Sequence, residues 1–237
     1  MHRFYIPEKI VGGRITIADA EQLHHLRDVL RLKIDDMVQV FDSTGSEFLA
    51  TISKIDRQKA VLTVTGHQSP RICHMKTAIA CAIPKRSIMD DIVDKLTQLG
   101  VDLIIPLLTE RGIVKLEGKA DRRHERWEKI AINASRQSQR NAVPVIDRIM
   151  DLKGAIFRSI GFDNKLIATT AGERQPLKAV VNSRSTSVFV LIGPEGDFTA
   201  KEIGQAADNG FVPVTLGDSV LRVETAAIAI ASYLRLH

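Results

Sequence analysis

"LIGPEGDF" (residues 191–198) closes the strand-like run "SVFVLI" and opens into "TAKE", where a helix is expected to start. Gly193 and Gly196 let the backbone approach a ligand closely or take positive φ, and Pro194 stiffens the turn. Thr199 and Glu202, three apart, have the spacing of a capping box for the next helix. In an open α/β sheet, ligands sit beyond the carboxyl ends of strands, where loops lead into helices whose first amides are unpaired. The stretch occupies such a position, although a tight, well-capped strand-to-helix turn would read the same way.

A second loop of this kind follows. "VTLGDSVLRVET" (214–225) again runs from strand to glycine to helix and carries Arg222 and Glu224 two residues apart. Two such loops imply a shared pocket. Familiar alternatives fail on spacing: no G-x-G-x-x-G follows the first strand of the region, "GIVKLEGKA" lacks the Ser or Thr of a phosphate loop, and no G-x-S-x-G or H-E-x-x-H occurs.

Outward from these loops, strands and helices alternate from Lys76 onward. "TAIACAI", "VDLIIPLL", "NKLIATT", "SVFVLI" and "VPVTLG" read as strands. "KRSIMDDIVDKLTQLG", with Ile88, Ile92, Leu96 and Leu99 on one stripe and Gly100 as its stop, reads as a helix, as do "DRRHERWEKIAINASRQSQR", the segment from Thr199 and the segment from about Arg222. Near-continuous apolar strands between helices predict an α/β fold with a mostly parallel sheet covered on both faces. The first seventy residues differ. "MVQVFD", "EFLATISKI" and "AVLTVTG" are short β-rich runs joined by the polar turns "DSTGS" and "DRQK", suiting a meander or small barrel, with one helix in "DAEQLHHLRDVLRL" whose Leu23, Leu26 and Leu30 share a face apart from Arg27 and Arg31. Turn chemistry around Pro70 places the domain boundary at residue 72, giving domains 1–72 and 73–237.

The 237 residues are 44% hydrophobic, enough for a real core, and 33 Lys and Arg against 28 Asp and Glu leave a net charge of +5, which favours an anionic partner. Cys73 and Cys81 fit neither a zinc knuckle nor a disulfide framework, so both are expected to be buried and inert in a reducing compartment. "MHRFYIPEK" lacks an apolar signal core and no run of about 18 apolar residues exists, so the cytoplasm is the expected location, with no membrane and no metal.

"LIGPEGDFTAKEI" followed by "TLGDSVLRVETAAIAI" resembles the RsmE family, SPOUT-class methyltransferases that modify the N3 of a uridine in 16S ribosomal RNA using S-adenosyl-L-methionine. "HLRDVLRLKIDD", "DKLTQLGVDLIIPLLTERGIVK" and "RWEKIAINASRQSQRNAVPVI" resemble that family's other signature stretches in the same order, so the similarity covers almost the whole chain. It implies a PUA-like N-terminal β-barrel for RNA, a SPOUT domain with a deep trefoil knot around the cofactor, and a homodimer acting on 16S ribosomal RNA or the small ribosomal subunit. The family usually has Gly-Pro-Glu-Gly-Gly where this chain has Asp197 in last place. It tends to have glutamate at Gln98, and a glutamate and often a glycine at Arg136 and Gln139.

The resemblance also implies roles. Arg222 would hold the uracil or a nearby phosphate and offset charge developing on the ring oxygens, and Glu224 would take the imide proton, unless the two are simply a charge pair at a helix start. Thr169, Ile192, Gly193, Pro194, Glu195 and Gly196, with Leu216, Gly217, Val220 and Leu221, would bracket the cofactor, largely through backbone. Arg3, Tyr5, His25, Arg27 and Arg31, with Arg136 and Arg140, would grip RNA, although most charge runs on helices are solvated faces. The apolar, alanine-rich "ETAAIAIASYLRLH" would be buried all round or pack against a second copy. Two alternatives stand beside the leading reading: a non-catalytic RNA-binding or ribosome-assembly factor that kept the fold, and a SPOUT methyltransferase acting on another RNA.

Overall fold

The structure, a computed structural model, describes residues 1–68, 75–85, 87–112, 118, 120–182 and 185–236. It divides into two compact units, one formed by residues 1–72 together with 135–143 and the other by 73–134 with 144–237. The turn around Pro70 and Cys73 lie outside the described residues. That Ser135–Val143 groups with the N-terminal residues is invisible in the local pattern, where those residues simply continue a basic helix.

The smaller unit contains β1 (Arg3–Ile6), β2 (Arg14–Ile17), α1 (Ala20–His24), β3 (Met37–Asp42), β4 (Glu47–Ile55) and β5 (Ala60–Gln68). Its sheet runs β1-β3-β4-β5-β2, with β1 parallel to β3 and the other pairs antiparallel. Both polar turns are organised by aspartate. Asp42 accepts from the amides of Thr44 and Ser46, and Asp56 from those of Gln58 and Lys59. Phe4, Ile17, Leu23, Leu26, Val40, Ile52 and Leu62 form the core.

The helix expected to run through Leu32 ends sooner. After Asp19 caps it through the Gln22 amide, it widens to a π-helical stretch at His25–Val29, where the Leu30 amide reaches back to the His25 carbonyl. Arg31 then takes φ +53° and the Leu32 amide closes on the Leu26 carbonyl, a Schellman-type stop with arginine where glycine is usual. Leu23 and Leu26 are buried as their spacing requires.

The larger unit runs β6 (Lys76–Ala82), α2 (Ile88–Gln98), β7 (Leu103–Leu108), α3 (Ala120–Gln137, of which residues 135–137 group with the smaller unit), β8 (Val145–Ile146), β9 (Met150–Asp151), α4 (Leu152–Arg158), β10 (Asn164–Ala168), β11 (Gln175–Pro176), α5 (Leu177–Val180), β12 (Ser187–Ile192), α6 (Ala200–Asp208), β13 (Val212–Thr215) and α7 (Val223–Leu236). The strands pair in the order β11-β13-β10-β12-β6-β7-β8, with β9 also on β7, and every pairing is parallel. Every residue of β12 is buried, which is why the strand reads as an unbroken apolar run. Pro106 is tolerated inside β7 because it falls between the residues that pair with β8 and those that pair with β9, while the Leu107 carbonyl serves the Ile83 amide on the other side. Gly100 follows α2 with φ +84°, the left-handed stop expected there.

This strand order sets up the site. β10 lies between β13 and β12, and Ala168 stands level with Ile192 on one side and Val214 on the other. Three adjacent strands therefore end together, and the loops that follow them rise from one edge of the sheet.

Candidate functional site

Those three loops enclose a cleft of about 320 Å³. Ala168, Thr169, Thr170 and Arg174 line it after β10; Ile192 to Glu195 and Asp197 line it after β12; Val214 to Leu221 line it at and after β13; and Val223 and Ala226 add the first turns of α7. The volume falls in the range of small-ligand sites, roughly 300–1,000 Å³. Of the ten residues that the resemblance assigns to the cofactor, all but Gly196 face this cleft.

Each loop is braced by its own chemistry. Gly193 is required by close approach, because a Cβ there would lie 3.0 Å from the Phe198 ring, and Phe198 is 2% exposed in the core beneath the loop. Gly217 has φ +126°, backbone that only glycine adopts without strain. Gly196 is turned outward: its carbonyl accepts a 2.7 Å hydrogen bond from Arg111 Nη1, and that guanidinium also reaches the Phe198 carbonyl at 3.4 Å. The capping box at Thr199 forms as its spacing predicts, and Glu202, 4% exposed, uses its second oxygen to accept the Glu110 amide at 2.9 Å. Glu110 and Arg111, eighty-five and more residues distant in sequence, thus secure the loop after β12 from one side.

Asp197 secures it from the other. The residue takes φ +60°, and its Oδ2 accepts from the Thr169 hydroxyl (2.8 Å), the Thr170 amide (2.7 Å) and the Thr170 hydroxyl (2.7 Å), while Oδ1 accepts the Phe198 amide at 2.8 Å. The family's usual glycine would supply the left-handed backbone without this bridge. Burial works against the charge, but the bonds from Thr170, Phe198 and Thr169 outweigh it and hold the carboxyl below the ordinary aspartate range. The carboxylate therefore stabilises the folded chain above the unfolded pKa and ceases to as pH falls through the lower, folded value. Replacing Asp197 with alanine is expected to lower stability to urea at neutral pH by about 1–2 kcal/mol, allowing for partial solvent screening. The gap between variant and parent should narrow as pH falls through and below the ordinary aspartate range; a gap independent of pH would deny the carboxylate this role.

Arg222 and Glu224 flank Val223 at the start of α7 but do not themselves line the cleft. Arg222 is exposed and Glu224 half-buried, and no hydrogen bond or ion pair joins them among the described residues, so a charge pair at the helix start does not account for them. The Cys81 thiol is buried and pushed up to about 12, first by burial and then by the Glu224 charge, which leaves it unreactive. Of the departures from the family pattern, Gln98 is on the exposed side of α2, bonded to Asp94, and Arg136 belongs to the other unit. Neither touches the cleft.

The residues expected to meet nucleic acid all fall in the smaller unit, Arg136 and Arg140 included. They are not equivalent. Arg3 is 7% exposed, bonded to Asn141 at 2.7 Å and Glu47 at 3.1 Å and stacked over the Phe41 ring, so its guanidinium serves the interior. Arg136 donates Nε to the Arg3 carbonyl and lies 5.4 Å over Phe4. Tyr5 packs on Phe41, and its backbone is bound at both ends by the Gln22 amide group. Arg27 forms a bidentate pair with Asp28, whose carboxyl falls to about 2 through that bond. His25 is held below the usual imidazole value by partial burial and then by the charges of Arg136, His2 and His24. Arg31 is exposed on its left-handed turn. Arg122, Arg123, Arg126 and Lys129, further cations of α3, belong to the larger unit, where Arg126 pairs with Asp90.

Among the described residues, no group of three or more His, Cys, Asp or Glu could hold a metal ion, and no helix is long and apolar enough to cross a membrane.

Comparison with known proteins agrees with this geometry. Residues 71–235 match the model of the RNA methyltransferase domain and residues 17–65 that of the RNA methyltransferase PUA domain. Ribosomal RNA small subunit methyltransferase E of Bacillus subtilis is 31% identical over 96% of this chain and 93% of its own length. The protein of that name from Mesomycoplasma hyopneumoniae is 30% identical over 96% of both. The crystal structure of ribosomal RNA small subunit methyltransferase E from Neisseria gonorrhoeae, bound to S-adenosyl methionine, superimposes with a TM-score of 0.89 at 29% identity, covering 100% of this chain and 97% of that one.

Proposed function

Because this chain belongs to the ribosomal RNA small subunit methyltransferase E family, and is therefore an S-adenosyl-L-methionine-dependent RNA methyltransferase, we propose that it methylates the N3 of a uridine in 16S ribosomal RNA at the cleft beyond β10, β12 and β13. The observation that carries the proposal is that three neighbouring strands end level and bring a glycine-spaced loop, a second glycine loop and the start of α7 around one cavity.

The cleft suits the cofactor on its own chemistry. Residues 192–195 and 216–221 line it, and their backbone amides and carbonyls would serve an adenine edge. Leu216, Val220, Leu221, Val223 and Ala226 supply apolar contact. S-adenosyl-L-methionine would bring the methyl group. The chain must orient the acceptor and manage one proton, since an imide nitrogen attacks only after its N–H is lost. Arg222, exposed and next in sequence to the cleft-lining Val223, would offset negative charge gathering on the uracil oxygens. Glu224, two residues on, is the side chain to which we assign the proton.

We further assign the SPOUT domain the deep trefoil knot of its class, with the loops after β12 and β13 as its threaded parts. The return of α7 against β6 and α2 supports that path. The smaller unit is the RNA-binding module, with Arg31, His25, Arg140 and the Arg27 edge as contacts and Arg3 as an internal brace. A homodimer in the cytoplasm, working on 16S ribosomal RNA or the small subunit, completes the reading.

Mass spectrometry of nucleosides from 16S ribosomal RNA, with and without the gene, tests the assignment. The deletion should lose 3-methyluridine and complementation restore it. Unchanged 3-methyluridine would move the chain to another acceptor, or to a binding role without catalysis.

A further inference from the structure

The cleft has an uneven distribution of charge. Among the described residues that line it, Arg174 is the single cation, facing a cavity that also holds Glu195, Asp197 and Asp218. Asp197 is spent, since its oxygens already accept from Thr169, Thr170 and Phe198. Arg174 is exposed, sits in the loop between β10 and β11, and has no hydrogen-bond or ion-pair partner among the described residues. A guanidinium left open at the mouth of a ligand cleft is a preformed fork for a carboxylate.

We propose that Arg174 binds the α-carboxylate of the cofactor's amino-acid moiety, setting the direction in which the ligand lies. The proposal rests on the cleft being the S-adenosyl-L-methionine site. That ligand carries one anionic group, and taking a carboxylate out of water without a partner is costly. Its α-amino group is cationic and suits Glu195, in the loop after β12. Its adenine needs the apolar wall from Leu216, Val220 and Leu221. Charge and polarity then agree on one orientation, with the amino-acid end towards the loop after β10 and the base against the loop after β13. Arg174 is in this account a specificity residue, separating the full cofactor from adenosyl compounds that lack the carboxylate.

The test is isothermal titration with S-adenosyl-L-homocysteine and with its decarboxylated analogue, which differs only at that group. The parent protein should prefer S-adenosyl-L-homocysteine by about tenfold or more. Arg174→Ala should lose about tenfold for S-adenosyl-L-homocysteine and leave the analogue unchanged, erasing the preference, and Arg174→Lys should fall between. An unliganded melting curve like the parent's would show that folding is untouched, as removal of an exposed side chain predicts. Equal losses for both ligands, or none for either, would overturn the proposal. If the parent binds neither ligand, the reading of the cleft itself falls, an outcome distinct from a preference that survives in Arg174→Ala.

Discussion

Gly193→Ala is expected to weaken S-adenosyl-L-homocysteine binding by about tenfold to a hundredfold, while Gly196→Ala changes it by no more than about twofold. The two glycines look alike in "GPEGDF", and the difference between them is purely steric. A Cβ at Gly193 would sit 3.0 and 3.1 Å from two ring carbons of Phe198 and 3.3 Å from the Phe198 amide nitrogen. The ring cannot retreat, because it is packed in the core with Ile105, Leu191 and Ala206. The backbone of the loop must move instead, and Gly193 lines the cleft, so the displacement falls on the ligand's seat. Overpacking of this kind costs about 1–3 kcal/mol, and each 1.4 kcal/mol is tenfold in affinity. At Gly196 the nearest atom to a new Cβ would be Arg111 Cδ at 3.6 Å, an ordinary contact with a flexible side chain, and the residue faces away from the cleft. Titration of both variants decides it. Equal losses would mean that the loop acts as a hinge whose glycines serve flexibility alone, and the packing argument would be wrong.

Local chemistry made much of this legible in advance. The box at Thr199 and Glu202, the stop at Gly100 and the buried runs of β6, β7 and β12 are each decided within a few residues, so spacing alone exposes them. Long-range pairings are different in kind. Nothing in "NKLIATT" says that β10 will lie between β12 and β13, and yet that order brings three loops to one edge. The two-residue strands β8, β9 and β11 are too short to show a period. Arg3 illustrates the limit for function. A basic N-terminal residue in a cationic chain invites an anionic ligand, but Glu47, Asn141 and Phe41, distant in sequence, take it into the interior. Asp197 is the converse, a departure from the family pattern whose cost vanishes once Thr169 and Thr170 come within hydrogen-bond reach.

Arg222→Ala should lower the single-turnover rate of methyl transfer by about a hundredfold to a thousandfold and leave the affinity for S-adenosyl-L-homocysteine within about twofold of the parent. The side chain is exposed, has no polar partner among the described residues and does not line the cleft, so its loss disturbs neither the core nor the ligand's walls. Its backbone carbonyl, which takes the Ala226 amide and begins α7, survives the substitution. What disappears is a positive charge immediately beside Val223, at the cleft, where the acceptor ring would gain negative charge as N3 gives up its proton. A prepositioned cation matters most at that moment, since the ring oxygens carry little net charge before it. The separation between rate and affinity is therefore the diagnostic. Arg222→Lys, which keeps the charge but not the planar fork, should recover part of the rate. If affinity for S-adenosyl-L-homocysteine falls as steeply as the rate, Arg222 serves the methyl donor rather than the acceptor. If neither changes, the proton and its charge are managed by other groups.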